Sequence, residues 1–187
     1  MEKQRENVEN KPVRIMYQDE GRFGLLGDVR NCWVPAGERP VCPMRQIRSY
    51  VYAYSAVSPM DGEVFSLILP FADTKCMSEY LKHLSLEYPE EFIILFCDGA
   101  SWHKSDKLEI PKNITLAFQP ANSPELNPAE QLWKHLRIHW FCNRDFKTMD
   151  NLEARLCEGL NSLNHNKTIV RNMTLYYWIY DAIILAS

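Results

Sequence analysis

Apolar and polar positions alternate along the first third of the chain and then change to helical spacing. In VRIMYQDE (13–20), Val13, Ile15 and Tyr17 alternate with Arg14, Met16 and Gln18, a two-residue period that predicts a strand ending near Asp19. CWVPAG (32–37) reads as a short strand or turn. QIRSYVYAYSAV (46–57), rich in Tyr and Val, predicts another strand. SPMDG places Pro59 and Asp61-Gly62 just ahead of EVFSLIL (63–69), so these two runs predict a hairpin. From Thr74 to Tyr88 the period becomes helical, with Met77, Leu81, Leu84 and Tyr88 on one face. FIILFC (92–97) is a continuous apolar run, suited to a strand buried on both sides of a sheet. A short helix and a further strand, NITLAFQ (113–119), follow. A helix is predicted from about Pro128, and another beyond Asp150, where Asp150 and Glu153 resemble a capping box ahead of Leu152, Leu156, Leu160 and Leu163.

This order predicts an α/β domain whose mixed sheet has three antiparallel strands followed by two parallel ones, with helices on its faces. That is the outline of the ribonuclease H-like fold. In it the first strand lies beside the strand that follows the first helix, so Asp19 and Asp98 would stand at the ends of neighbouring strands. Residues 1–12 are polar and read as a leader or linker, and the domain is expected to span 13–187.

Composition changes the picture little. A chain of 187 residues, 46% hydrophobic and 12% aromatic, suits one globular domain with a proper core. A net charge of −3 argues against a chain that clamps DNA unaided, because phosphate neutralisation uses clustered Lys and Arg. It leaves room for a catalytic domain whose partner grips the DNA. The cysteines form no C-x-x-C pair, which suits a reduced, cytosolic protein. The polar N-terminus lacks the apolar core of a signal peptide, and LYYWIYDAIILA (175–186) is too short to span a bilayer, so no membrane is expected.

The chemistry rests on acids. Phosphodiester cleavage with Mg²⁺ calls for carboxylates converging on one or two ions, about 3.5–4 Å apart in two-metal sites. Asp19 and Asp98 at adjacent strand ends, with Glu130 of LNPAEQLW on a nearby helix, would meet that need. Each has an ordinary alternative. Asp98-Gly99 can be a turn, Glu130 can close a capping box on Asn127, and Glu20 and Glu125 lie close by.

Four segments taken together carry more: YQDEGRFG (17–24), WVPAGERP (33–40), FCDGASWHKS (96–105) and NSPELNPAEQLWKHL (122–136). In this order they resemble the catalytic core of DDE-type transposases, and most of all the bacterial insertion-sequence branch of the mariner-like superfamily. The resemblance implies a triad of catalytic and metal-binding residues, Asp19, Asp98 and Glu130, holding Mg²⁺ (or Mn²⁺), two ions in all. The third acid follows Asn-Pro in the family motif, which favours Glu130 over Glu125. Thirty-one residues separate Asp98 from Glu130, close to the family's usual interval. The implied activity is cleavage of DNA at element ends followed by strand transfer. A nuclease that cuts without joining, or a non-catalytic interaction module, are the alternatives. The implied location is the bacterial cytoplasm or nucleoid.

DNA contacts are expected from His103 and Lys104, and from Lys134 and Arg137, which share a helix face with Glu130. Lys134 could instead pair with Glu130. Trp102 could stack on a base or pack over the sheet end. His135, His139 and Cys142 make a loose zinc-like pattern without a fourth ligand. Relatives of this type carry N-terminal helix-turn-helix domains, which this chain is expected to lack. A homo-oligomer, or a partner chain supplying a DNA-binding domain, is therefore expected.

Overall fold

The computed structural model of the chain describes residues 11–25, 34–37, 49–121 and 123–186. Five strands form one mixed sheet: β1 (Val13–Gly24), β2 (Tyr50–Ser58), β3 (Glu63–Leu69), β4 (Phe92–Cys97) and β5 (Ile114–Phe118). Their spatial order is β3-β2-β1-β4-β5. The first three pair antiparallel, and β4 and β5 add in parallel on the far side of β1. Helices α1 (Thr74–Glu87), α2 (Glu130–Leu136), α3 (Met149–His165), α4 (Lys167–Thr174) and α5 (Tyr177–Ala186) complete the domain. This is the ribonuclease H-like arrangement that the sequence predicts.

Strand alternation builds two cores. Tyr17 and Phe23 of β1 point to one face, where Trp133 and Leu136 of α2 pack with Leu152, Leu156 and Leu160 of α3. Met16 points to the other, against Met77, Tyr80, Leu81 and Leu84 of α1. Each such side chain, fully buried, contributes about 1.5–3 kcal/mol, so both layers are held firmly against the sheet. At the β2–β3 turn Gly62 has a φ of 75°, and a Cβ there would lie 2.1 Å from the Lys167 carbonyl oxygen, so only glycine fits.

Several expectations need correcting. β1 does not end near Asp19, because its β2 edge stays paired as far as Gly24↔Tyr50. Its other edge loses its partner much earlier, since pairing with β4 stops at Tyr17↔Phe96. No helix forms between β4 and β5. Residues 98–113 make separate turns, such as His103 N–H to the Ala100 carbonyl at 3.0 Å, because no helically spaced apolar stripe pins them to the sheet. The Asp150–Glu153 box does not cap α3; the Thr148 hydroxyl does, accepting from Asn151 N–H at 3.2 Å. The expected strand or turn at 32–37 is a turn at Ala36-Gly37, and its first residues lie outside the described ones. Among the described residues no helix is long and apolar enough to cross a membrane.

Candidate active site

The three acids arrive from three elements. β4 ends at Cys97 and Asp98 leaves the sheet one step later. Carrying the Tyr17↔Phe96 register on by two residues brings Asp19 level with Asp98. Asn127, buried, ties the start of α2 to β1: its Nδ2 donates to the Gln18 carbonyl at 2.9 Å and its Oδ1 accepts from Ala129 N–H at 3.1 Å. Asp19, Asp98 and Glu130 consequently line one cleft of ≈ 380 Å³, together with Lys104, Gln119 and Asn127.

Geometry also separates these acids from their neighbours. Glu20, next to Asp19 on β1, points to the opposite face, as strand alternation requires, and its Oε1 lies 2.9 Å from His103 Nε2. Glu125 is exposed on a 3₁₀ turn (Pro124–Leu126) and does not line the cleft. Glu130 closes no capping box, because Asn127 N–H already donates to the Pro124 carbonyl at 3.0 Å.

The two aspartates have opposite electrostatics. Burial, and then the charge of Glu130, push the Asp19 carboxyl up to about 7, against the Trp133 indole N–H that donates to its Oδ2 at 2.8 Å. Asp98 is held below the ordinary carboxylate range, chiefly by its hydrogen bond with His103, and is 57% exposed. Its Oδ1 accepts from Ala100 N–H at 3.0 Å and lies 2.8 Å from His103 Nδ1. Burial works against charge on His103, but its bonds to Asp98 and Glu20 prevail and push it up to about 10.

A pH effect follows from Asp19. Its carboxyl titrates at about 7 when folded, against an ordinary 3.8, so the metal-free fold loses stability from this group as pH rises between those values. Metal-free Asp19→Asn is therefore expected to melt above wild type at pH 8, with the gap closing by pH 4. Urea unfolding across that range checks this, and parallel pH profiles for the two proteins would refute it.

Among the expected DNA contacts, only Lys104 is exposed at the cleft, with its Nζ 5.3 Å from the centre of the Phe118 ring. His103 is not available to DNA, being 2% exposed and enclosed between Glu20 and Asp98. Lys134 is exposed and Arg137 sits over the Phe23 ring at 5.7 Å; neither lines the cleft. Trp102 packs edge-on to His103, ring centres 5.7 Å apart. Gly99 is not in the left-handed region, and a Cβ there would meet only the Lys104 side chain. The turn after Asp98 comes instead from the bond between Asp98 Oδ1 and Ala100 N–H.

Among the described residues no three His, Cys, Asp or Glu side chains are gathered closely enough to enclose an ion, the His135–His139 pair included. The acidic cleft nevertheless suits a hydrated hard cation. Mg²⁺ keeps several of its waters and takes only one or two carboxylates directly, and this cleft is open and oxygen-lined.

Trp133 and Glu20 are the site residues that sequence reasoning missed. Trp133 stands three residues after Glu130, a spacing that places both on one side of α2 and could have drawn notice. Gly21 makes room for it, since a Cβ there would lie 2.7 Å from the indole. Nothing in the sequence links Glu20 to His103, 83 residues away.

A sequence profile of the DDE superfamily endonucleases matches residues 14–153, and the chain belongs to that family. Its fold is that of a DDE transposase catalytic domain. It is 36% identical over 132 residues to the uncharacterized protein y4pE/y4sA of Sinorhizobium fredii, across 70% of this chain and 98% of that protein. It is 28% identical over 181 residues to the transposable element Tc3 transposase of Caenorhabditis elegans, across 86% of this chain and 53% of the transposase. The fold superposes on the Mos1 strand transfer complex with a TM-score of 0.58 at 17% identity, covering 88% of this chain and 56% of that one. A mariner Mos1 paired end complex with Mg gives 0.56 at 15% identity, over 88% and 56% of the two chains. The chain thus spans about half the length of the Tc3 and Mos1 transposases.

Proposed function

We propose that this domain performs the DNA cleavage and strand transfer of a transposase, by metal-dependent phosphodiester chemistry at Asp19, Asp98 and Glu130. The observation that carries the reading is the meeting of these three acids, from β1, the end of β4 and α2, in one cleft. Their oxygens form a hard donor set for Mg²⁺ or Mn²⁺, two ions in all. When bound, such ions polarise the scissile phosphate and activate the attacking oxygen. The protein's own part is positioning. Asn127 fixes the start of α2, and so Glu130, against β1. Trp133 holds Asp19 from the core side, and Lys104 offers its ammonium to phosphate at the cleft.

In the proposed sequence, hydrolysis leaves a 3′-hydroxyl at the element end, and that hydroxyl then attacks a target phosphodiester in line, joining to its phosphorus as the P–O3′ bond of the target breaks and a target 3′-hydroxyl leaves. No protein–DNA bond forms. Recognition of the ends is assigned to a DNA-binding unit outside this catalytic domain, consistent with a net charge of −3. Lys134 and Arg137 are the proposed contacts to flanking backbone. The reaction would take place where bacterial DNA lies, in the cytoplasm or nucleoid.

The test uses duplexes carrying the DNA that flanks the protein's own gene, a supercoiled target plasmid, and Mg²⁺ or Mn²⁺. Joined products are expected. Nicks without joining would make it an endonuclease only. No reaction, even with a DNA-binding unit added in trans, would make it a non-catalytic module.

A further inference from the structure

On the α1 face of the sheet, behind the cleft, lies a pair of polar side chains with no part in the proposed chemistry. Glu20 and His103 are only 7% and 1% exposed at the side chain. His103 Nε2 is 2.9 Å from Glu20 Oε1, and Nδ1 is 2.8 Å from Asp98 Oδ1 and 3.2 Å from the Asp98 carbonyl. Both ring nitrogens thus face oxygen acceptors, and only an imidazolium donates to both sides at once. The result is a row of carboxylate, imidazolium and carboxylate that runs from the core to the cleft.

Only the Glu20 end of the row is anchored in the sheet; at the other end Asp98 Oδ1 also accepts from Ala100 N–H at 3.0 Å, a bond within the loop itself. Glu20 sits within β1, paired with Tyr54 of β2, while Asp98 is the first residue beyond β4 and 57% exposed at its side chain. An exposed carboxylate on a loop samples several rotamers, and binding an ion in one of them costs that freedom. A hydrogen bond from a ring fixed in the core removes the freedom beforehand. Burying the Glu20–His103 pair gives little stability by itself, because desolvation offsets the attraction of a buried ion pair. Its effect falls on Asp98.

We infer that Glu20 and His103 form a positioning pair which, through His103 Nδ1, holds the Asp98 carboxylate in the orientation that receives a divalent metal ion. This rests on the reading of Asp98 as a metal ligand. Asp19 has a counterpart support in the Trp133 indole, from the opposite core, at 2.8 Å. Each aspartate is thereby fastened to a different layer of the sandwich, and the cleft geometry depends on both layers being docked.

Mn²⁺ binding to the whole chain, measured by electron paramagnetic resonance of the free ion, tests this without DNA or turnover. Outer partners of metal ligands typically change affinity by about 10–100-fold, and His103→Leu is expected to weaken binding by that much. His103→Asn, whose amide can donate towards Asp98, should recover most of the loss. His103→Leu leaves Glu20 buried without a partner, so the Glu20→Gln/His103→Leu double variant is measured as well. It removes that charge yet still lacks the strut, and should bind as weakly as the single variant. Asp98→Asn calibrates the experiment. If it loses Mn²⁺ while the folded double variant binds within twofold of wild type, the positioning role is wrong and the metal site stands. If Asp98→Asn binds as wild type does, the ligand reading fails, and the positioning inference with it.

Discussion

Asp98→Asn is expected to slow metal-dependent DNA cleavage by about a thousandfold or more, equivalent to about 4 kcal/mol of activation barrier. The substitution preserves shape. Its remaining carbonyl oxygen can still accept from Ala100 N–H, so the turn beyond β4 should survive. What disappears is the negative charge at the open end of the sheet, where the proposed ions bind. Melting in the absence of metal should fall modestly at neutral pH, because the charge-assisted bond from His103 becomes a neutral one. The wild type, by contrast, should gain about 2.7 kcal/mol at a metal concentration 100 times its dissociation constant, a gain that the variant loses. Nicking rates at saturating Mg²⁺ and Mn²⁺, with melting curves alongside, measure both effects. A variant that cleaves within tenfold of wild type would remove Asp98 from the chemistry.

Trp133→Ala should have the largest effect on stability, about 3–5 kcal/mol, because it empties the space of a large buried aromatic. The indole is 1% exposed, lies edge-on to Phe23 with ring centres 6.0 Å apart, and rests against the strand at Gly21. For a domain with a total stability of about 5–15 kcal/mol, that loss brings the fold near its limit. Trp133→Phe separates packing from hydrogen bonding. It keeps most of the ring contacts but removes the N–H that reaches Asp19, so stability should change modestly while cleavage falls by about 10–100-fold. Urea unfolding and nicking rates, measured on both variants, check the pair. Full activity in Trp133→Phe would show that the indole N–H does not orient Asp19.

Most of the domain could be read along the chain. The alternation of Val13, Ile15 and Tyr17 marked β1, the apolar run of Phe92 to Cys97 marked β4, and Met77, Leu81 and Leu84 marked α1. These signals are local, because a strand or helix repeats its side-chain direction every two or about 3.6 residues. Where local signals are weak, the tertiary structure decides the conformation. The segment 98–113 carries no regular period and forms turns, and the cap of α3 went to Thr148 rather than Asp150.

At the site the division falls elsewhere. The family motifs singled out Asp19, Asp98 and Glu130, and the structure brings these three to one cleft. The partners of those acids were not legible. Trp133 meets Asp19 across 114 residues and Glu20 meets His103 across 83, distances at which no periodicity operates. His103 illustrates the consequence: its place beside Lys104 suggested contact with DNA, yet it is enclosed in the core.

The sequence by itself determined most of the elements, their order and the three acids that the family motifs mark, because each depends on residues close together in the chain. Only the tertiary structure decided which face Asp19 and Glu20 take and which side chains support them. That choice is made when β1 settles between β2 and β4, and when α1 and α2 dock on opposite faces of the sheet. Packing of the two cores, rather than any local pattern, sets the register that brings these groups within bonding distance.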